Sequence, residues 1–339
     1  HAMTVARSRS ITGPYDVHPD NPLITSRHHP EAYLQKTGHG DFVETQNGEH
    51  YAVFLASRPL HGSGRGRCTL GRESAIERIV WSDDGWPRLA YGGQTARRHV
   101  EAPDLPRHPF PPPPERLDFD TPTIDRHFQS LRVPMTRDWV DTTSRPGYLR
   151  LTGRDSLGST FTQSLIARRV QSHHIEAATC VEFSPSNFQQ MAGLVCYYNT
   201  YHYHYLYLAG ADYGGDPDRK LLSILTNDKY RVEEPLAEPL DLTGVERVYL
   251  KVELDHAALR CFYATEEPTD EGAWQAVGPV LDGSILSDDY VEDLQIRYRP
   301  CFTGAFVGLA CQDLSGQALH ADFDWWAYRE LAVPEARSR

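Results

Sequence analysis

Apolar and polar residues alternate along this chain in short runs, each closed by glycine, asparagine, aspartate or proline. The run 247–254 sets Val248, Leu250, Val252 and Leu254 on one face, the period of two expected of a half-buried strand. Phe42-Val43-Glu44-Thr45 and Tyr51-Ala52-Val53-Phe54-Leu55 flank Gln46-Asn47-Gly48-Glu49, and an Asn-Gly between such runs predicts a tight hairpin. A second unit of this kind spans 75–81, the turn Asp83-Asp84-Gly85 and Trp86-Pro87. Further strand-like runs lie at 147–151, 259–263, 304–310 and 321–326, and no segment carries a sustained 3.6-residue period. The pattern predicts an all-β chain. The paired strands before residue 102 suit a sheet stack or propeller blades, and the C-terminal two-thirds reads as a β-sandwich.

Between these regions runs Ala-Pro-Asp-Leu-Pro-Arg-His-Pro-Phe-Pro-Pro-Pro-Pro-Glu-Arg at 102–116. Proline at this density removes backbone donors and forces extended backbone, so the segment reads as a stiff connector. The expected organisation is a cloning remnant at 1–3 (from His1-Ala2), a first domain at 4–101, the connector at 102–116 and a sandwich at 117–335. Eighteen tyrosines, six tryptophans and frequent turn residues (25 glycines, 24 prolines) agree with many short strands.

A net charge of −12 argues against a nucleic-acid partner, which needs a basic face to displace counterions. No apolar run approaches the roughly 18–20 residues that span a bilayer, and no charged-then-apolar leader is present, so neither membrane nor export is expected. Six cysteines without a C-x-x-C pair, mostly inside apolar runs, are expected as buried free thiols of a cytoplasmic, reducing compartment.

Several residues carry potential chemistry. Asp118-Phe119-Asp120 opens the predicted sandwich and Asp322-Phe323-Asp324 nearly closes it. If first and last strands lie side by side, these oxygens offer a Ca²⁺ site, the alternative being exposed turn aspartates. No other cofactor is implied. Tyr201, Tyr203, Tyr205 and Tyr207 share one face of a run whose other face holds His202 and His204. That face reads as packed sandwich core or as a carbohydrate platform, and two histidines alone do not make a metal site. Asp41 shares a strand face with His39 while Glu44 points away, which disfavours an improvised acid–base pair.

A set of ordered segments resembles the glycoside hydrolase family 43 β-xylosidases, of the β-xylosidase/α-L-arabinofuranosidase type. They are Gly13-Pro14-Tyr15, Gln35-Lys36-Thr37-Gly38-His39-Gly40, Val43-Glu44-Thr45-Gln46-Asn47-Gly48, Leu70-Gly71-Arg72-Glu73-Ser74-Ala75 and Asp84-Gly85-Trp86-Pro87. They continue through Phe161-Thr162-Gln163, Phe188-Gln189-Gln190-Met191-Ala192-Gly193-Leu194, Tyr197-Tyr198-Asn199-Thr200, Ser287-Asp288-Asp289-Tyr290 and Phe302-Thr303-Gly304-Ala305-Phe306-Val307-Gly308. The resemblance implies the last blades of a five-bladed β-propeller followed by a concanavalin-like β-sandwich. It implies exo-acting, inverting release of xylose from xylo-oligosaccharides or related pentose-containing sugars. The family's catalytic Asp base, pKa-tuning Asp and Glu acid lie upstream of the matching segments, so no catalytic residue carries over.

Three positions carry over as substrate-binding. His39 matches the histidine at the propeller centre, against the plain reading of a strand histidine satisfied by its neighbours. Arg72 matches an active-site arginine that forks onto sugar hydroxyls, against a surface ion pair with Glu73. Phe302 matches an aromatic wall of the sugar pocket, against core packing of the kind that explains Phe306. On this reading the chain alone is inactive and meets a complementing N-terminal propeller chain or forms a homo-oligomer. The alternative is a non-catalytic carbohydrate-associated or interaction sandwich with propeller remnants.

Overall fold

In the computed structural model, residues 1–60, 66–212, 215–292 and 301–332 are described. The chain divides into two units, His1–Pro112 and Pro113–Arg339, the division falling inside the proline-rich run.

The first unit holds a four-stranded antiparallel meander in the order Gln35–Glu44, His50–Ser57, Glu73–Trp81 and Pro87–Leu89. Its first hairpin turns at Gly48, whose φ of 77° suits a residue without Cβ. Thr45 N–H donates to Glu49 O at 2.8 Å and Gly48 N–H to Thr45 O at 3.0 Å. Such a meander is the blade unit of a propeller. One face carries Ala52, Phe54, Ala56 and Ile79 into a core shared with Met3, Leu23, Ile24 and Leu89. On the other face Val43, Val53, Ile76 and Val80 remain 39–45 % exposed.

Met3 is buried, and its N–H donates to Ile24 O at 2.8 Å. One expectation needs correction here: strict alternation fails across 36–41. The register shifts between Gln35 and Gly38 and again between Gly38 and Asp41, with Lys36 and His39 at positive φ. The cause is the N-terminal segment: a Cβ at Gly38 would lie 2.6 Å from the Ala2 backbone, and one at Gly40 would lie 2.9 Å from Met3 Sδ.

The second unit is a sandwich of two antiparallel sheets. One runs Gln275–Asp282, Ala258–Ala264, Arg247–Asp255, His174–Glu182, His320–Glu330, Leu149–Thr152 and Val140–Asp141, with Arg116–Leu117 pairing onto His320–Glu330. The other runs Arg231–Glu233, Lys220–Asp228, His202–Gly210, Gln190–Asn199, Phe306–Asp313, Ser164–Arg169 and Gln129–Ser130. Val248, Leu250, Val252 and Leu254 are all 2 % exposed or less, as the alternation predicts. Tyr249 and Lys251 between them are buried as well, at 4 % each, so the opposite face of that strand is also covered. All six cysteines are free, and all but Cys301 are buried.

Candidate functional site

Antiparallel pairing brings the start of Gln35–Glu44, the end of His50–Ser57 and the start of Glu73–Trp81 to one end of the blade, opposite the Gly48 turn. Gly38, Leu55 and Ser74 form a row across the three strands. His39 lies one residue past this row and Arg72 two residues before it. With strands spaced ~4.8 Å apart and residues rising ~3.3 Å along them, their backbones are roughly 14 Å apart. The exposed His39 and the 8 %-exposed Arg72 therefore share this end of the sheet.

Glu73, the partner in the alternative reading of Arg72 as a surface ion pair, is held instead by another arginine. Arg58 grips both Glu73 oxygens, Nε to Oε2 at 2.9 Å and Nη2 to Oε1 at 2.7 Å. Neighbouring side chains on a strand point to opposite faces, whereas Arg58 reaches Glu73 from the adjoining strand. Buried hydroxyls from Thr25, Ser26, Thr37, Ser57 and Thr69 belong to the same unit, each 4 % exposed or less. Ser57 Oγ donates to Gly71 O at 2.9 Å, fixing the turn before Arg72. Thr37 Oγ1 and Thr69 Oγ1 are buried with no hydrogen-bond partner among the described residues. Buried hydroxyls without partners are costly, and these two were not read from the sequence.

Several of the unit's carboxylates are engaged structurally. Asp41 Oδ1 accepts from Phe42 N–H at 2.8 Å. Glu77, 1 % exposed, accepts from Arg97 N–H at 2.6 Å and from its Nη2 at 2.9 Å, while Arg97 stacks 3.5 Å over Tyr91. The Ser82 hydroxyl holds Asp84 down at about 2. In the other unit, hydroxyl, backbone and arginine donors likewise hold Asp141, Asp313 and Asp322 below the usual carboxylate range.

Phe302 belongs to the other unit, in the segment leading into Phe306–Asp313, and is 46 % exposed. Phe306 packs against the tyrosine-rich cluster. Asp288, 0 % exposed, pins the segment after Phe302: its Oδ1 accepts from Tyr198 Oη at 2.7 Å and from Gly304 N–H at 3.1 Å. Val170 N–H donates to Ala305 O at 2.9 Å. Asp288 was missed as a positioning residue, although its segment was among those that resemble the family.

The tyrosine face is closed rather than open, with Tyr203, Tyr205 and Tyr207 at 6, 1 and 5 % exposure. Tyr201 lies just before that strand, its ring 4.1 Å from that of Tyr230. On the opposite face His204 bonds Thr226 Oγ1 at 3.0 Å and Asp282 O at 3.2 Å, and burial lowers both His202 and His204 to about 4. First and last sandwich strands do pair, and three of the four aspartates there meet arginines. Arg150 holds Asp322 at 2.7 and 2.8 Å, Arg116 meets Asp118 at 2.6 Å, and Arg247 meets Asp324. Among the described residues, the one set of three His, Cys, Asp or Glu donors within 4.8 Å is His174, Glu253 and Asp255.

Residues 116–329 match the family described as Beta xylosidase C-terminal Concanavalin A-like domain, and residues 1–87 match Glycosyl hydrolases family 43. The chain is 41 % identical to a Beta-xylosidase of Bacillus subtilis strain 168 over 97 % of its own length and 61 % of that protein. It is 42 % identical to a Putative beta-xylosidase of Escherichia coli K12, over 98 % of this chain and 61 % of the relative. The crystal structure of a xylan beta-1,4-xylosidase from Bacillus halodurans C-125 superposes with a TM-score of 0.90 at 44 % identity, covering 97 % of this chain and 60 % of that one. The chain thus spans about three-fifths of the length of these relatives. With both units matched in order, the chain belongs to the glycoside hydrolase family 43 proteins that carry the β-xylosidase-type concanavalin A-like C-terminal domain.

Proposed function

We propose that this chain is the C-terminal portion of an exo-acting, inverting 1,4-β-xylosidase acting on xylo-oligosaccharides, and that alone it does not hydrolyse β-xylosides. Inversion needs a carboxylic acid of raised pKa to protonate the leaving oxygen, and a carboxylate ~6.5–9.5 Å away to activate water. The observation that carries the proposal is the blade end itself. A buried arginine and buried hydroxyls gather there, while Asp41, Glu73 and Glu77 are spent on Phe42, Arg58 and Arg97. In this reading His39, Arg72 and Phe302 position sugar hydroxyls and a pyranose face, and another part of the propeller supplies both proton transfers.

The exposed apolar face of the blade supports a larger propeller. Propeller blades bury both faces against their neighbours, yet Val43, Val53, Ile76 and Val80 remain open to solvent. The test is hydrolysis of a chromogenic aryl β-xyloside and an aryl α-L-arabinofuranoside by chain of verified intact mass. It is repeated after adding the part of the Bacillus subtilis relative that lies outside the match. Turnover is expected only in the supplemented sample. Turnover by the chain alone that survives repurification and vanishes in His39→Ala overturns the proposal.

A further inference from the structure

On the outer face of the first sandwich sheet, remote in sequence from His39 and Arg72, lies an open groove of about 420 Å³. Its floor is two alanines, Ala178 and Ala327, paired across adjacent strands. On one side of that pair the register places Cys180 opposite Trp325, and on the other Glu176 opposite Arg329. A wall comes from Trp274, half-buried at the end of the short 3₁₀ turn Glu271–Ala273, which Asp270 caps by accepting from Gly272 N–H at 2.8 Å.

Four charges at the groove hold one another. Lys251 Nζ meets Glu271 at 2.6 Å and Glu176 at 3.6 Å, and Arg329 Nη2 meets Glu176 at 2.6 Å and Glu271 at 3.2 Å. Lys251 and Glu176 are 4 % and 8 % exposed, so the groups are already ordered and a ligand need not order them. Within this quartet two carboxylates and two cations cancel; the rest of the lining adds Glu115, Glu267 and Asp270 against Arg116, which disfavours an anion and leaves carboxylate oxygens to accept from hydroxyl donors. The Trp325 indole is 5 % exposed, and its Nε1 is buried with no hydrogen-bond partner among the described residues. Its neighbour Trp326 is likewise without a partner for Nε1, but it lies on the opposite face of the strand with its ring 5.5 Å from Phe128. Trp325, by contrast, lines an open groove.

A neutral ligand with an apolar face and many hydroxyls, each both donor and acceptor, matches this lining. We propose that the groove is a second sugar-binding site, which takes a neutral pentose-built oligosaccharide. One pyranose face lies on the exposed part of Trp274, and hydroxyls bond Glu271 and Arg329. Arg116, whose guanidinium lies 4.6 Å over the buried Trp325 ring, covers that ring; Lys251 Nζ lies 5.1 Å over Trp274, which is only half-buried and so keeps surface for stacking. The choice of a pentose sugar rests on the proposed function, but the site does not require this chain to be catalytic.

The test is calorimetric titration of the full 339-residue chain with xylohexaose, with tryptophan fluorescence followed in parallel. Saturable binding is expected, weakened roughly tenfold or more in Trp274→Ala and Glu271→Gln, and abolished in Ala327→Phe, which fills the floor without deleting a group. Thermal melting of each variant checks that it folds; Trp274→Phe, retaining a ring, is expected to bind better than Trp274→Ala. Phe302→Ala is expected to leave the titration unchanged. Binding that is lost in Phe302→Ala and kept in Trp274→Ala overturns the groove while sparing the proposed hydrolase site. Absence of saturable binding with both xylohexaose and arabinohexaose at millimolar sugar overturns it outright.

Discussion

Asp288→Ala tests whether one buried carboxylate fixes the segment that follows Phe302. In the native chain this side chain is inaccessible and accepts from Tyr198 Oη at 2.7 Å and Gly304 N–H at 3.1 Å. Truncation leaves a hydroxyl on a 7 %-exposed tyrosine and a buried backbone N–H without that acceptor. Each such orphan costs about 1–3 kcal/mol, so the sandwich should lose about 4 kcal/mol, with a midpoint drop of roughly 8–16 °C for a unit of this size. Tyr198→Phe removes one orphan in advance. A double-mutant cycle should therefore return a coupling of about 1.5–3 kcal/mol, the range for a hydrogen bond to a charged group. Asp288→Asn keeps an acceptor oxygen and should lose less. Urea unfolding followed by tryptophan fluorescence gives the free energies, and amide exchange at Gly304 reports the pin directly, because that N–H should exchange faster in Asp288→Ala. A coupling below about 0.5 kcal/mol with unchanged Gly304 exchange would refute the reasoning.

Other expectations follow from the same accounting. Glu77→Gln should destabilise the first unit by about 2 kcal/mol, less than a fully buried pair because the Arg97 side chain is 31 % exposed; an unchanged denaturation midpoint would count against it. His202 and His204 sit at about 4 when folded and near 6.5 when unfolded. The unfolded chain therefore binds more protons between these values, and stability is lost as pH falls from about 6.5 to 4, by about 3 kcal/mol per histidine. A pH series of unfolding free energies should be flatter over that window in His204→Gln, and an unaltered slope argues against the assignment. Burial raises the Cys180 thiol to about 11 and Cys261 to about 12, so a thiol reagent should modify Cys301 alone in the native protein and all six cysteines in denaturant. Rapid native labelling at Cys180 or Cys261 would contradict this.

What the sequence disclosed, and what it hid, follows from the range of the forces involved. The Gly48 hairpin and the 247–254 strand were legible because a turn and an alternating face are written in neighbouring residues. The distortion at 36–41 was not, since its cause is the Ala2 backbone against Gly38 and the Met3 side chain against Gly40. The alternative pairing of Arg72 with Glu73 came from adjacency along the chain, yet in a strand the partner comes from the next strand, and Arg58 holds Glu73. Within the candidate site, His39 and Arg72 rest on resemblance, whereas the buried Thr37 and Thr69 hydroxyls have no local signature. The groove is the extreme case. Ala178 and Ala327 each read as an ordinary small residue in a strand, and only their pairing turns two absent side chains into a floor. Lys251, from a third strand, is buried beside that floor because Glu176 and Glu271 offset its desolvation. Such a network commonly costs more stability than an apolar face of the same shape. Its place on the outer face of a sheet, beside the half-buried Trp274, is what the paired titrations of Trp274→Ala and Glu271→Gln test: a purely structural network would move the melting temperature and leave sugar binding unchanged.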